Sequence, residues 1–217
     1  MQEILLINPN SSSATTAMMV AIAAGDAPPG YRVEGRTAQD GPPMIVNPSE
    51  LDAAALEVER TWRGGGTHWA GVIISAFGDP GIERVRAVSR VPVVGIAEAS
   101  MREASAGGRR FGIATVTPDL VGPIEGRARA LGLLAVYAGI RLTDGDPRQL
   151  AADPLALEEA LARAVQRSID DDGAEAVIIG GGPLGQAAIG LQGRFAVPVI
   201  APIPAAMRLL MSRLAPH

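Results

Sequence analysis

Short apolar runs alternate with longer amphipathic stretches along the whole chain, the rhythm of strands and helices taken in turn. Residues 3–7 read as a first strand closed by Asn8-Pro9-Asn10, and Ser11, Ser12 and Ser13 offer caps for a helix running to residue 24. Pro28-Pro29-Gly30 ends that helix, and the alternation over 31–36 predicts a second strand. A loop over 37–48 then leads to a helix capped at Ser49, with Asp52 in a capping-box position and Gly64-Gly65-Gly66 as its stop. Residues 70–75 predict a third strand, 80–89 a helix, 91–96 a fourth strand, and 97–106 a short helix ending at Gly107-Gly108.

A second series follows. Residues 111–114 form a strand, Thr115-Val116-Thr117-Pro118 a turn, and 119–131 a helix; 133–140 read as a strand, and a polar connection runs to 153. A helix over 154–171 carries Leu155, Leu157, Leu161, Val165 and Ile169 as the stripe that packs on a sheet. Strand 176–179, helix 184–191, strand 197–200 and helix 204–214 complete the chain.

The two series correspond at a spacing of about 105 to 107 residues, which reads as a duplicated four-strand unit. Ile7-Asn8-Pro9-Asn10 lies opposite Ala114-Thr115-Val116-Thr117, and Val91-Pro92-Val93-Val94-Gly95 opposite Val197-Pro198-Val199-Ile200-Ala201. The fold predicted is α/β, with two pseudo-symmetric open-sheet domains, each a mostly parallel four-stranded sheet with flanking helices, and a pocket between them. Residues 1–97 plus 204–217 make the first domain and 98–203 the second. The eight strand–helix pairs also permit a closed barrel, although the chain is near the lower size limit of that fold.

Ligands of open α/β sheets sit at the carboxyl ends of the strands. Two turns there stand out: Gly71-Val72-Ile73-Ile74-Ser75-Ala76-Phe77-Gly78-Asp79-Pro80-Gly81 and Ala176-Val177-Ile178-Ile179-Gly180-Gly181-Gly182-Pro183. They are expected to face each other across one pocket. Asn8, Asn10 and Ser11, and in the second half Thr115 and Thr117, sit where strands give way to helices. There they either donate hydrogen bonds to a carboxylate or imide oxygen or simply cap the turn. Gly180 to Gly185 formally matches G-x-G-x-x-G, but the strand that follows ends in Ala201-Pro202 rather than in the acidic residue a dinucleotide site wants. Asp79 reads as a general base or, from its Gly-Asp-Pro-Gly context, as a helix cap. Glu98 stands at a helix start, where a carboxylate is favourable in any case. His68 falls at the amino side of its strand, away from the expected pocket.

Composition narrows the chemistry. Hydrophobic residues make up 47% of the chain but aromatics only 3%, the balance of an aliphatic core between helices and a parallel sheet. A net charge of −4 gives no footprint for nucleic acid or an anionic membrane. No run of about 18 apolar residues predicts a membrane span, and Gln2 and Glu3 open the chain unlike a secretory signal, so a soluble cytoplasmic protein is expected. There is no cysteine, which removes thiol acids, bases and metal ligands. There is no lysine either, which removes Schiff-base and pyridoxal phosphate chemistry. With only His68 and His217, no metal site is expected.

Ile7-Asn8-Pro9-Asn10-Ser11, Phe77-Gly78-Asp79-Pro80-Gly81, Val94-Gly95-Ile96-Ala97-Glu98-Ala99 and Asp172-Gly173-Ala174-Glu175-Ala176 together resemble the aspartate/glutamate/hydantoin racemase superfamily, in particular its hydantoin and allantoin racemase branch. The resemblance implies a homo-oligomer, a small-molecule substrate, and cofactor-independent proton transfer at a carbon next to a carbonyl. It also implies two cysteines on opposite faces of that carbon, and these fall at Ala76 and at Gly181 or Gly182. The two-thiol mechanism therefore does not carry over. What remains is a binding apparatus of Asn8, Asn10, Ser11, Ser75, Ala76, Phe77, Gly78, Thr115, Thr117, Gly181, Gly182 and Pro183, with Asp79, Glu98 or a water to move the proton. Such donors suit an isomerase acting on a hydantoin-like or carboxylate substrate, a lyase or decarboxylase using the same turns, or a silent ligand-binding protein. The small residues at 76 and 180–182 predict room for a bulkier ligand.

Overall fold

A computed structural model describes residues 1–66 and 68–215; His217 lies outside the described residues. In chain order the first half comprises β1 (Gln2–Asn8), α1 (Ser13–Asp26), β2 (Tyr31–Thr37), α2 (Pro48–Arg63), β3 (Gly71–Ile74), α3 (Ile82–Val88), β4 (Val93–Gly95) and α4 (Ile96–Ala104). The second comprises β5 (Phe111–Thr115), α5 (Val121–Ala130), β6 (Tyr137–Leu142), α6 (Pro147–Ala151), α7 (Pro154–Asp170), β7 (Ala176–Ile179), α8 (Gly185–Gly190), β8 (Val199–Ile200) and α9 (Pro202–Leu214).

The strands form two separate sheets, β2-β1-β3-β4 and β6-β5-β7-β8, in the same order and with every pairing parallel. Two open sheets, not a closed barrel, are therefore the architecture. The continuous apolar runs of the central strands follow from burial on both faces. Leu5, Ile7, Val72 and Ile74 pack with Val58, Ile82 and Val85 of α2 and α3 on one face of the first sheet. Ile4, Leu6 and Ile73 alternate to the other face. There they join Met19 of α1, Met207 and Leu210 of α9, and Phe111, Ile113 and Ile178 of the second sheet in one core. Helix α9 returns to β3 and β4 and packs against α1 and α4, while α4 also reaches β7 and β8. Gly71 permits that return, because a Cβ there would stand 2.7 Å from the Leu210 side chain.

Several elements differ locally from expectation. Helix α2 begins at Pro48, and its cap is Asn47, whose side chain accepts from Glu50 N at 2.9 Å while Glu50 accepts from Val46 N at 2.7 Å. Proline at the first helical position has no amide to satisfy and a preset φ, so the cap and its acidic partner sit two residues ahead of Ser49 and Asp52. Strand β6 starts at Tyr137 after a 3-10 turn over Leu134–Val136. The polar connection before residue 153 contains α6, capped by Asp146 before Pro147. In α7, Leu157, Leu161 and Val165 are buried but Leu155 is 79% exposed; two helical positions are about 200° apart, so Leu155 and Leu157 cannot share a face. Among the described residues no helix is long and apolar enough to cross a membrane.

Candidate functional site

The carboxyl ends of β1, β3, β5 and β7 converge on one cavity of about 50 Å³. The first sheet contributes Asn10, Ser75, Ala76 and Phe77, and the second Thr115, Val116, Thr117, Gly180, Gly181, Gly182, Pro183 and Leu184. Met44 and Ile45, from the loop after β2, and Leu120 and Ile124, at the start of α5, complete the wall. The two small-residue turns therefore open onto the same space.

Local hydrogen bonds fix which polar atoms are left for a ligand. Asn8 Nδ2 donates to Asn10 Oδ1 at 2.8 Å, and Ser12 N donates to the same oxygen at 2.9 Å. The Asn10 carboxamide is thus held by its oxygen, and its NH2 group has no protein acceptor among the described residues. Thr115 Oγ1 donates to Gly180 O at 2.6 Å and stands 3.5 Å from Thr117 Oγ1, leaving the Thr117 hydroxyl as the adaptable donor. Ser75 Oγ donates to Met19 Sδ at 2.9 Å. Among the described residues the amides of Ala76, Phe77, Val116, Thr117 and Gly182 donate to no protein acceptor. None of the lining residues is ionisable.

Of the residues expected to bind a ligand, Asn10, Ser75, Ala76, Phe77, Thr115, Thr117, Gly181, Gly182 and Pro183 line the cavity; Asn8, Ser11 and Gly78 do not. Asn8 is buried behind Asn10 and supports it. Ser11 is exposed, with its amide donating to Pro42 O at 3.1 Å. Gly78 takes a left-handed φ of 120° and lies against Leu51. Met44 and Ile45 escaped notice because their loop read as a connector; an adjacent apolar pair in a Pro- and Gly-rich segment was the available signal. Leu120, Ile124 and Leu184 read only as helix positions.

The glycines do not leave the room expected of them. A Cβ at Gly180 would stand 2.8 Å from Ile113, one at Gly181 2.8 Å from Leu184 Cγ, and one at Gly182 2.7 Å from Ser75 O. Neighbouring protein occupies that space, so the glycine run serves close packing of the two turns rather than a wider ligand or a phosphate.

Asp79 and Glu98 are not at the cavity. Asp79 is buried with a left-handed φ of 53°, and its carboxylate accepts from Ala97 N and Glu98 N, each at 2.8 Å, and from Arg127 Nε at 2.9 Å. It caps α4, not the helix that follows it in sequence. Gly95 makes this possible, since any Cβ there would fall on the Asp79 carboxylate. Burial pushes the Asp79 carboxyl up, against the opposing pull of Arg127 and the two amides. Glu98 is 2% exposed and bonded to Arg86, to Arg213 at 2.7 Å and to Arg102 at 3.0 Å. Burial raises its pKa, but the bonds from Arg86 and Arg213 outweigh that and hold it at about 2. Both carboxylates are committed to protein donors, so of Asp79, Glu98 or a water as the group that moves the proton, neither carboxylate lies at the cavity. His68 pairs with Glu3 at 2.9 Å, at the opposite end of the sheet.

Residues 4–210 match the family described as Asp/Glu/hydantoin racemase. The chain belongs to that family. It is 31% identical to a hydantoin racemase of Paenarthrobacter aurescens, over 98% of this chain and 91% of that protein. Allantoin racemase from Klebsiella pneumoniae superposes with a TM-score of 0.91 at 30% identity, covering 98% of this chain and 87% of that one. Allantoin racemase from Pseudomonas fluorescens gives 0.92 at 28% identity, covering 97% and 90%. The chain is accordingly a racemase-like enzyme of the family's hydantoin branch. It has no cysteine anywhere, unlike what the resemblance in sequence implies. The two positions that the resemblance assigns to thiols, Ala76 and Gly181, both line the cavity.

Proposed function

We propose that this enzyme exchanges and inverts the proton on a carbon next to a carbonyl, in a hydantoin-like ring or small carboxylate, by stabilising enolate-like charge rather than by using a pair of thiols. One observation carries the reading: the cavity where the two turns meet sets a few neutral hydrogen-bond donors among mostly apolar side chains, and none of its lining residues is ionisable. The Asn10 NH2 group, the Thr117 hydroxyl and the amides of the two turns receive the developing oxyanion. Removing one such preorganised donor from an enzyme typically costs about 10² to 10³ in rate. The C–H bond breaks with its proton passing to hydroxide, which becomes water, and water returns a proton to either face and regenerates hydroxide. Asn8 supports Asn10, Asp79 shapes the turn, and Glu98 ties α4 to α3 and α9 instead of carrying the proton. No cofactor enters this scheme.

The absence of a base from the lining residues also favours a second reading, decarboxylation of a malonate-type substrate. Loss of carbon dioxide generates the same enolate without proton abstraction, and water then protonates it. One experiment reads both. Enantiopure hydantoins, allantoin and substituted malonates are incubated with the protein in D₂O and followed by NMR and polarimetry. Deuterium incorporation with loss of rotation is the expected result, carbon dioxide release from the malonates would favour the second reading, and binding without turnover across the panel would overturn both.

The family resemblance further supports a homo-oligomer acting in the cytoplasm on a small molecule. We assign the two units near residues 1–97 plus 204–217 and 98–203, with the cuts falling in α4, which touches β4 as well as β7 and β8, and in α9, which packs on β3 and β4.

A further inference from the structure

Arg127 lies on α5, in the second half of the chain, yet its guanidinium is committed to carboxylates of the first. Nε donates to Asp79 Oδ2 at 2.9 Å, and Nη1 stands 3.4 Å from Glu83 Oε1. Nη2 is 3.7 Å from Glu98 Oε2 and is buried with no hydrogen-bond partner among the described residues. The side chain is only 11% exposed. Ile124, about one helical turn before Arg127, is part of the cavity wall, as is Leu120. On the other side, Asp79 N donates to Ala76 O at 3.0 Å, so Asp79 closes the turn that presents Ala76 and Phe77 to the cavity. The same carboxylate holds the first amides of α4.

One guanidinium thus joins the α5 wall of the cavity to the turn opposite it. Its place is explained by what it spans. We propose that Arg127 is a positioning residue, which sets the separation between the α5 wall and the Ala76–Phe77 turn through Asp79 and so fixes the width of the cavity. This rests on the reading that the cavity is where the reaction occurs, although the first arm of the test does not.

The test compares wild type with Arg127→Met and Arg127→Lys. In the first arm, amide hydrogen exchange is followed by mass spectrometry. In Arg127→Met, exchange in peptides covering residues 75–82 and 96–100 is expected to accelerate about tenfold or more, while those of β1 and β5 keep their wild-type protection. Arg127→Lys restores one cationic bond to Asp79 but not the fork, and falls between. If Arg127→Met does not fold, the Arg127→Lys comparison alone carries the test. Uniform acceleration over all peptides, or none in either segment, would overturn the proposal.

In the second arm, kcat and KM for deuterium exchange into a hydantoin are compared. A widened cavity is expected to lower kcat by about tenfold or more with a smaller change in KM; unchanged kcat per folded molecule would count against positioning. Should wild type exchange no carbon acid at all, the function proposed above fails while the amide-exchange arm still decides the role of Arg127.

Discussion

Leu184 holds the volume that any side chain at position 181 would need. A Cβ built on Gly181 lands 2.8 Å from Leu184 Cγ and 2.9 Å from Cδ1, and Leu184 is itself 4% exposed in the core of the second half. Forcing a side chain into such a site typically costs about 1–3 kcal/mol. Restoring thiols at Ala76 and Gly181 without relieving Leu184 therefore yields a destabilised protein whose second sulfur is displaced. The combination Ala76→Cys, Gly181→Cys and Leu184→Ala is expected to gain hydantoin racemisation by polarimetry, and Ala76→Cys with Gly181→Cys alone to gain less and to melt lower. Equal activity from the two would mean that Leu184 moves freely. The glycine run was legible as a turn at a strand's carboxyl end. Its packing was not, because nothing in Gly180-Gly181-Gly182 states that Leu184, Ile113 and Ser75 O fill the adjoining space.

The same limit applies to elements. A cap signal in sequence is local, and Gly78-Asp79-Pro80-Gly81 pointed to the helix just after it. The amides that Asp79 satisfies belong instead to α4, whose own N-cap position is Gly95 and supplies no side chain. Glu98, in the first turn of that helix, gathers Arg86 from α3, Arg102 from its own helix and Arg213 from α9. Its folded pKa of about 2 lies below the usual 4.5. For a depressed carboxyl, stability is fully present above the unfolded pKa and is lost as pH falls through the folded one. Wild type should therefore lose on the order of 3 kcal/mol from this group between about pH 4.5 and pH 2. Glu98→Gln should lack that component while being less stable at neutral pH. Urea unfolding at successive pH values measures the difference, and parallel curves for the two proteins would remove Glu98 from the account.

Across the whole molecule, the duplication was readable because parallel strands buried on both faces leave unbroken apolar runs, and the two series of runs share one spacing. The joint cavity followed from the matching turns. Its upper wall did not, since the halves are asymmetric there: Met44 and Ile45 of the first loop enter the cavity, whereas the counterpart connection after β6 folds into α6. The outcome, in a chain of 19 arginines and 23 acidic residues, is a cavity with no charged residue among the described residues that line it. That separation bears directly on kinetics. A protein base gives the rate of proton removal an inflection at its own pKa. With no ionisable group at the lining, the exchange rate should rise in proportion to hydroxide concentration, about tenfold per pH unit, from about pH 5.5 upward until the substrate itself ionises. The acceleration over the spontaneous reaction should stay constant across that span. Salt should matter little, because no buried cation or carboxylate meets the ligand. An inflection between about pH 5.5 and pH 8 that is missing from the uncatalysed profile would identify a protein group as the base. Constant acceleration would instead assign the catalysis to donors alone.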